Sequence, residues 1–220
     1  CRIEELLEIC NEYNIQLIED AAESLGSFSN KKHTGTFGVM GAISFNGNKI
    51  ITTGGGGIII TDDESLAIRA KHITTTAKIA HPYEYNHDQI GFNYRMPNLN
   101  AALGKAQVEN LDYFLKEKRI VAQRYQDFFD EIGVGFVTER AGTVSNYWLN
   151  AILLRNSQER DSFIRSTNKA GVMTRPIWTL MTKLDMFKDC QHDGLSNSIW
   201  LEERVVNIPS SVPNIIKEVI

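Results

Sequence analysis

The first twenty residues carry two successive hydrophobic patterns, one with helical spacing and one typical of a strand. In RIEELLEICNEY the apolar side chains recur at intervals of three and four residues, which places them along one face of a helix. They are Ile3, Leu6, Leu7 and Cys10. In IQLIEDAAESLG a short apolar run ends in Glu19 and Asp20, so the pattern predicts a strand with carboxylates at its C-terminal end. A helix followed by a strand indicates an α/β sheet.

The middle of the chain continues the same alternation of elements. VMGAISF and GGIIITDD are short apolar runs that predict two more strands. DESLAIRAKHI predicts a helix, and Asp63 is placed to cap its N-terminus.

A long helical pattern separates this first part of the chain from the last. From Asn98 to Gly133 apolar residues lie near helical spacing, and the glycine closes the pattern. We expect this helix to link two domains. Beyond it, YWLNAILLR, a helix around ERDSFIRSTNKAG, and VMTRPIW predict a small α+β unit. The predicted boundaries are residues 1–115 and 116–220.

Composition narrows the function classes. The chain has 220 residues, 42% hydrophobic and 23% charged, as is ordinary for a soluble globular protein. The net charge of −4 gives no electrostatic reason to expect nucleic acid or an anionic membrane as a partner, and the apolar runs are too short to span a bilayer. Three cysteines in no CxxC or Cys/His array argue against a disulfide framework and a zinc site. We expect a cytoplasmic protein without a metal.

The candidate chemistry centres on Lys49, which lies between two apolar runs and precedes four consecutive glycines. Ligands of open α/β sheets bind outside the carboxyl ends of the parallel strands, so we expect Asp20 and Lys49 to share one crevice. A lysine amine can react with an aldehyde, and a carboxylate against a pyridinium nitrogen keeps that nitrogen protonated. Pyridoxal phosphate needs both groups, and Ser44 can offer a hydroxyl to its phosphate. Gly54–Gly57 would permit positive φ or close backbone approach near the cofactor.

Each of these residues also has a structural interpretation. A single loop lysine is more often solvated than catalytic. Asp20 could cap a helix at AAES, and the glycines could form a plain turn, since they fit neither GxxxxGK[ST] nor GxGxxG. The five histidines lie at no metal-ligand spacing. Spacing alone therefore leaves the function open.

Four segments in order carry a resemblance to a known family. They are IEDAAESLG, GTFGVMGAISFNGNKIITTGGGGIIITDD, GFNYRMPNLNAALGKAQVENLD and TRPIW. Through nearly its whole length the chain resembles the sugar aminotransferases of the DegT/DnrJ/EryC1/StrS family, which are pyridoxal-phosphate enzymes of fold type I. SFNGNKIITTGGGG is similar to the members that aminate nucleotide-linked keto sugars on the way to bacillosamine or legionaminic acid. The resemblance implies an α/β fold with part of the large cofactor-binding domain in 1–115 and the small C-terminal α+β domain in 116–220.

The resemblance also implies roles for the cofactor-site residues. Lys49 would hold pyridoxal phosphate covalently and then move the proton between the substrate α-carbon and the cofactor. Asp20 matches the carboxylate on the pyridine nitrogen, and Ser44 matches a phosphate ligand. Glu23 occupies a place where many members have glutamine or histidine near the phenolic oxygen, and a protonated carboxyl could still donate there. Asn93 in GFNYRM matches an asparagine that reaches the phosphate of a neighbouring subunit.

The substrate and the assembly follow from the same resemblance. Arg175 and Trp178 in TRPIW fall where the small domain faces the substrate, and arginine suits carboxylate or phosphate oxygens. The expected reaction transfers the amino group of glutamate to a nucleotide-linked keto sugar, in a homodimer with shared active sites. Close approach of helices, between subunits or equally inside one chain, is permitted by the small residues Ala101, Ala102, Gly104 and Ala106.

Two rival functions stay open at this point. A sugar dehydratase of the same fold has histidine in place of the lysine, so Lys49 speaks against it. A catalytically silent binding or assembly module is the other rival. Members of the family are considerably longer, and we expect Cys1 to lie within a longer protein whose earlier part carries further sheet strands, a phosphate-binding turn and the aromatic residue that stacks on the ring.

Overall fold

The computed structural model of the chain describes residues 1–212, so residues 213–220 of the predicted C-terminal domain lie outside the described residues. The helices are α1 (Ile3–Glu12), α2 (Glu64–Thr74), α3 (Asn98–Val108), α4 (Leu111–Glu131), α5 (Ser157–Lys169) and α6 (Ser196–Glu202). The strands are β1 (Ile18–Asp20), β2 (Phe28–Ser29), β3 (Lys32–His33), β4 (Met40–Ser44), β5 (Gly57–Ile60), β6 (Gly135–Phe136), β7 (Thr143–Val144), β8 (Asn150–Leu153), β9 (Arg175–Pro176) and β10 (Val205–Ile208).

The chain divides into two structural units. The first consists of Cys1–Leu115 together with Arg140–Asn146, and the second of Lys116–Glu139 together with the residues from Tyr147 onward. The segment 140–146 therefore belongs with the first unit, although it follows the boundary drawn from the sequence. That the first unit is a cofactor-binding domain stays a prediction.

The main sheet of the first unit has the strand order β1-β4-β5. β1 runs parallel to β4, with Asp20 opposite Ala42, so both strands end at the same edge of the sheet. β5 is antiparallel to β4 and pairs Gly57 with Ser44. The helix and three strands predicted over residues 3–60 are confirmed, and the parallel pair is the feature that places the candidate residues at one edge.

A second, smaller sheet in the first unit has the order β3-β2-β7. Here β2 pairs antiparallel with both β3 and β7. The strand β7 explains why segment 140–146 belongs to this unit, because its backbone completes that sheet.

The helix that begins at Glu64 starts as the sequence predicts. Asp63 accepts a hydrogen bond from Leu66 N at its side chain (3.0 Å), which satisfies one of the amide groups that a helix N-terminus leaves unpaired.

The predicted single helix from Asn98 to Gly133 is wrong in one respect, because it is two helices. α3 ends at Val108 and α4 begins at Leu111. Between them Asn110 accepts a hydrogen bond from Phe114 N at its carbonyl (3.1 Å) and donates from its side chain to Ala106 O (2.8 Å). Asparagine favours helix caps over helix interiors, and at this position it ends one helix and starts the next.

The second unit contains an antiparallel sheet with the order β6-β8-β10-β9. Its hydrophobic core joins this sheet to the two helices α4 and α5. The buried members are Ala122, Phe129, Phe136, Ile152, Leu154, Val206 and Ile208, and Phe163 and Ile164 are partly buried against them. The predicted α+β character of this unit is confirmed for the residues that the structure describes.

None of the helices within residues 1–212 combines the length and the apolar character that crossing a membrane requires.

Candidate active site

Lys49 lies in a loop whose ends are joined by backbone hydrogen bonds. After β4 the chain leaves at Phe45 and returns at Thr53, whose N–H donates to Phe45 O (3.0 Å). The two residues that follow the lysine, Ile50 and Ile51, are only 8% and 2% exposed. Burial of these two side chains fixes the backbone next to Lys49, so the lysine side chain starts from a defined position.

The glycines after this loop adopt conformations that other residues avoid. Gly54, Gly55 and Gly56 have φ angles of +77°, +150° and +119°. Gly56 O accepts a hydrogen bond from Phe45 N (2.9 Å), which turns the chain back onto β4. The prediction that the glycines supply positive φ is confirmed for these three and not for Gly57, which begins β5.

Helix α3 holds the same loop from another side. Asn100 Nδ2 donates to Thr53 O (2.5 Å), and Thr52 N donates to Gln107 Oε1 (3.3 Å). A Cβ atom at Gly104 would lie 2.8 Å from Thr53 Cγ2, so only glycine allows this approach without a shift. Close packing at Gly104 therefore occurs inside the chain.

Asp20 and Ser44 end the two parallel strands. Asp20 is exposed and accepts a hydrogen bond from Ala22 N at Oδ1 (3.2 Å), while within residues 1–212 its Oδ2 atom has no hydrogen-bond donor. Turns and no helix follow at residues 21–26, so the alternative in which Asp20 caps a helix is wrong. Ser44 Oγ accepts from Asn46 N (3.2 Å). Each strand end thus presents an oxygen at the shared edge.

Lys49 and Glu23 connect the loops that follow these two strands. Lys49 Nζ donates a short, charge-assisted hydrogen bond to Glu23 Oε1. The Lys49 side chain is 12% exposed, whereas the Glu23 side chain is 45% exposed. The structure therefore brings an amine that is largely shielded from water against a carboxylate that reaches water.

Glu19 has a role that the sequence analysis missed. Its carboxylate accepts backbone hydrogen bonds from Gly35 (2.6 Å), Phe37 (2.5 Å) and Gly38 (2.8 Å). These bonds tie the loop before β4 to the end of β1, next to Asp20. The donors lie 16 to 19 residues further along the chain. The one signal in the sequence was the glycine-containing segment GTFG, whose backbone N–H groups can be approached closely.

Asn93 lies in the first unit, in the segment that follows α2. It forms an isolated antiparallel bridge with Thr75, and the preceding Phe92 N donates to Ile73 O (2.7 Å). The Asn93 side chain is exposed and makes no hydrogen bond to the described part of the chain. Its backbone is anchored while its amide stays available, and its contact with a phosphate stays a prediction.

Arg175 and Trp178 belong to the second unit. Arg175 begins β9 and is exposed. Trp178 is 64% exposed and stacks on Trp148 with ring centroids 6.1 Å apart and planes 16° from parallel. These residues form an accessible aromatic and cationic surface. That they share a site with Lys49 stays a prediction.

Lys118 is a second residue that the sequence analysis missed. It is 8% exposed, and its Nζ atom donates to the carbonyl oxygens of Tyr147 (3.4 Å), Trp148 (3.1 Å) and Ser210 (2.8 Å). Burial lowers the pKa of Lys118 to about 8, because removal from water disfavours the ammonium. Lys118 fixes the backbone that carries Trp148.

The described residues contain no group of three or more His, Cys, Asp or Glu side chains placed to hold a metal ion. The three cysteines are free thiols.

The arrangement at the carboxyl edge of the main sheet defines the class of the protein. It is an α/β protein in which a shielded amine, carboxylates and a hydroxyl surround the ends of two parallel strands. Amines react with aldehydes, and hydroxyl groups bind phosphate oxygens, so the edge suits a ligand that carries both groups.

The chain belongs to the DegT/DnrJ/EryC1/StrS aminotransferase family, whose model matches residues 1–219. EpsN of Bacillus subtilis (strain 168) is 38% identical over 178 residues, which cover 80% of this chain and 46% of EpsN. The GDP-perosamine synthase of Escherichia coli O157:H7 is 34% identical over 212 residues, which cover 96% of this chain and 57% of that enzyme. The chain thus spans about half the length of these relatives.

A solved structure gives the same result for the fold. PseC of Helicobacter pylori, an aminotransferase involved in the biosynthesis of pseudoaminic acid, matches with a TM-score of 0.90 at 19% identity. The match covers 98% of this chain and 60% of PseC. The fold predicted from the sequence, that of the family's pyridoxal-phosphate enzymes, is confirmed.

Proposed function

We propose that the protein containing this chain transfers the amino group of glutamate to a nucleotide-linked keto sugar, with pyridoxal phosphate as cofactor. The observation that carries the proposal is the shielded Nζ atom of Lys49 at the carboxyl edge of β1 and β4, in contact with Glu23. Membership of an aminotransferase family supports it. The product would be an amino sugar for a cell-surface polysaccharide or glycan, made in the cytoplasm.

The names of the relatives support the substrate class. One relative is named as a GDP-perosamine synthase, and PseC is described as an aminotransferase involved in the biosynthesis of pseudoaminic acid. We extend the class, a keto sugar on a nucleotide carrier, to this protein. A net charge of −4 offers nucleic acid no attraction, and we expect neither nucleic acid nor a membrane as a partner.

The residues at the strand ends fit pyridoxal phosphate by their chemistry. Lys49 provides an amine for the aldehyde, Asp20 a carboxylate oxygen without a donor among the described residues, and Ser44 a hydroxyl for the phosphate. A carboxylate suits a pyridinium nitrogen because it favours the protonated ring. These three residues would hold the group, with Asn93 of a partner subunit on the phosphate.

The chain's own residues then carry the proton movements. Bound pyridoxal phosphate supplies an aldehyde and an electron-withdrawing ring that stabilises negative charge on the substrate carbon. Lys49 would hold the cofactor through Nζ, and the same atom would remove and return the substrate proton. Asp20 would offer its carboxylate to the pyridine nitrogen. The Lys49 side chain is only 12% exposed, so little water reaches Nζ to exchange protons with it.

Arg175 and Trp178 would bind the substrate. A guanidinium can form two parallel hydrogen bonds with the carboxylate of glutamate or with a phosphate of the nucleotide. Trp178 offers an exposed aromatic face, supported from behind by Trp148.

We also infer that the active form is at least a homodimer with shared sites. The free amide of Asn93, on a backbone anchored to the end of α2, supports a role toward a neighbouring subunit. Gly104 gives no support, because its close approach is to Thr53 of the same chain. Mixing Lys49→Ala and Asn93→Ala proteins tests the inference. Shared sites predict that exchanged subunits regain activity, and no recovery would mean that each site is built within one chain.

Product analysis tests the function and separates it from its rivals. The full-length protein, loaded with pyridoxal phosphate, is incubated with glutamate and each of several nucleotide-linked keto sugars. An amino sugar nucleotide formed together with 2-oxoglutarate supports the proposal. Loss of water from the sugar without amino transfer would identify a dehydratase, and no reaction of any donor or sugar would favour a silent binding module.

A further inference from the structure

The contact between Lys49 and Glu23 has consequences for how the lysine becomes reactive. An ammonium nitrogen has no free electron pair, so it must lose a proton before it can attack an aldehyde carbon. Glu23 Oε1 accepts a hydrogen bond from Lys49 Nζ and so already lies on the path of that proton. General base catalysis requires a proton acceptor within hydrogen-bond distance of the proton that it removes.

The turn that carries Glu23 is held by hydrogen bonds from a buried side chain. Asn146 is 4% exposed, and its Nδ2 atom donates to Glu23 O (2.6 Å) and to Leu25 O (2.9 Å). Asn146 N in turn donates to Ser27 Oγ (3.1 Å). Because a buried amide clamps both ends of the turn, the Glu23 carboxylate starts from a fixed backbone opposite Lys49.

The two side chains differ in their access to water in the way that a proton relay requires. The Lys49 side chain is 12% exposed and the Glu23 side chain 45% exposed. A proton released at Nζ has little direct contact with solvent. On Glu23 it reaches a carboxyl group that exchanges freely with water.

We propose that Glu23 is a catalytic residue that accepts the proton Lys49 must lose before its amine reacts with the cofactor, and returns a proton when Lys49 is released. In this step the N–H bond at Nζ breaks and its electron pair stays on the nitrogen. An O–H bond forms at Glu23 Oε1. The ion pair becomes a neutral amine and a neutral carboxyl, so atoms and charge balance without an oxidant or another reactant.

A purely structural role for Glu23 makes a different prediction. A side chain that only positions Lys49 could be replaced by glutamine, which has the same shape and still accepts a hydrogen bond through its amide oxygen. Glutamine is a far weaker base, so it could not take the proton. The two roles therefore separate in the Glu23→Gln protein.

The first experiment measures how fast Lys49 captures pyridoxal phosphate in the cofactor-free, full-length protein, followed by absorbance and checked by mass after reduction. This proposal rests on the proposed function, but the readout is cofactor capture and not turnover. We expect Glu23→Gln and Glu23→Ala to slow capture at least about tenfold, within the range of general base catalysis. Glu12→Gln, an exposed glutamate at the end of α1, is the matched control and should capture at the parent rate.

Chemical rescue distinguishes lost basicity from lost structure. The exposure of Glu23 leaves room for a small carboxylate, so acetate should restore capture in Glu23→Ala, and chloride at the same ionic strength should not. Thermal melting identifies a variant that fails to fold. In the parent protein, infrared difference spectra with carboxyl-labelled glutamate should show a protonated glutamate that forms during capture and is absent in Glu23→Gln.

The outcomes separate this proposal from the proposed function. Capture at the parent rate in folded Glu23→Gln, or a parent protein in which no glutamate becomes protonated, would overturn the role of Glu23 alone. If the parent protein captures pyridoxal phosphate at no lysine, or at a lysine other than Lys49, the proposed function itself fails.

Discussion

Asn100 donates a 2.5 Å hydrogen bond from Nδ2 to the carbonyl oxygen of Thr53, which anchors the loop that carries Lys49 to helix α3. Thr53 is 1% exposed, so without Asn100 its carbonyl would lack this partner away from water. The loop is therefore held in position by a helix residue 47 positions further along the chain.

Asn100→Ala should lower the free energy of unfolding by about 1–3 kcal/mol, the usual cost of leaving a buried polar group unpaired. Urea unfolding measures this, and amide exchange should accelerate at residues 50–53. Asn98→Ala, an exposed asparagine in the same helix, is the matched control. Equal unfolding midpoints for the two variants would show that the hydrogen bond is dispensable.

Among the glycines of the described residues, Gly41 leaves the least room for a side chain. A Cβ atom there would lie 1.9 Å from Gly35 O, in the loop that Glu19 holds. Gly41→Ala must displace that backbone and should destabilise the protein by about 3 kcal/mol, at the upper end for overpacking. Gly47→Ala, where a Cβ would meet nothing within 4 Å, should leave the melting temperature unchanged. A stable Gly41→Ala protein would contradict the close approach.

Because Lys118 is buried, we expect the free energy of unfolding to depend on pH. Burial lowers its pKa from 10.5 to about 8, so between these values the unfolded chain binds more protons than the folded one. The free energy of unfolding therefore gains a contribution that rises with pH across this window. The cost of burying the charge is present in full below pH 8 and disappears above pH 10.5.

Lys118→Met removes this titration. The rise in unfolding free energy between pH 8 and 10.5 should be smaller than in the parent by up to about 3 kcal/mol, from the size of the pKa change. Lys116→Met, an exposed lysine in the same helix, should retain the parent's dependence. Parallel pH profiles for Lys118→Met and the parent would mean that Lys118 titrates as it does in the unfolded chain.

Asp20→Asn tests the partner of the cofactor ring. The change removes the charge and preserves the shape, so we expect turnover to fall at least about tenfold. This corresponds to a rise of about 1.4 kcal/mol in the activation barrier. A fraction of the protein molecules should still bind the cofactor. Asp62→Asn, at an exposed aspartate outside the strands, is the control. Unchanged turnover in Asp20→Asn would remove Asp20 from the site.

The elements around the site were predictable because their signals are local. Helical spacing identified α1, and short apolar runs identified β1, β4 and β5. The break between α3 and α4 also had a local signal in Asn110, which the continuous apolar pattern around it outweighed. At this position the cap preference of asparagine outweighs the helical periodicity.

The long-range contacts within each unit were not predictable for a different reason. Glu19 binds amide groups 16 to 19 residues away, and Lys118 binds carbonyl oxygens 29 to 92 residues away. Partners so far apart in the sequence meet only in the tertiary fold, so a local sequence pattern does not reveal them. The contact of Glu23 with Lys49 across 26 residues belongs to the same group.

Identification of the modified lysine tests the central claim most directly. The full-length protein is loaded with pyridoxal phosphate, reduced with borohydride, digested and sequenced by mass spectrometry, with Lys49→Ala as the matched variant. The account predicts the cofactor on the peptide that contains Lys49, and no labelled peptide and no turnover in Lys49→Ala. Labelling of another lysine in the parent protein, or turnover in the variant, would contradict it.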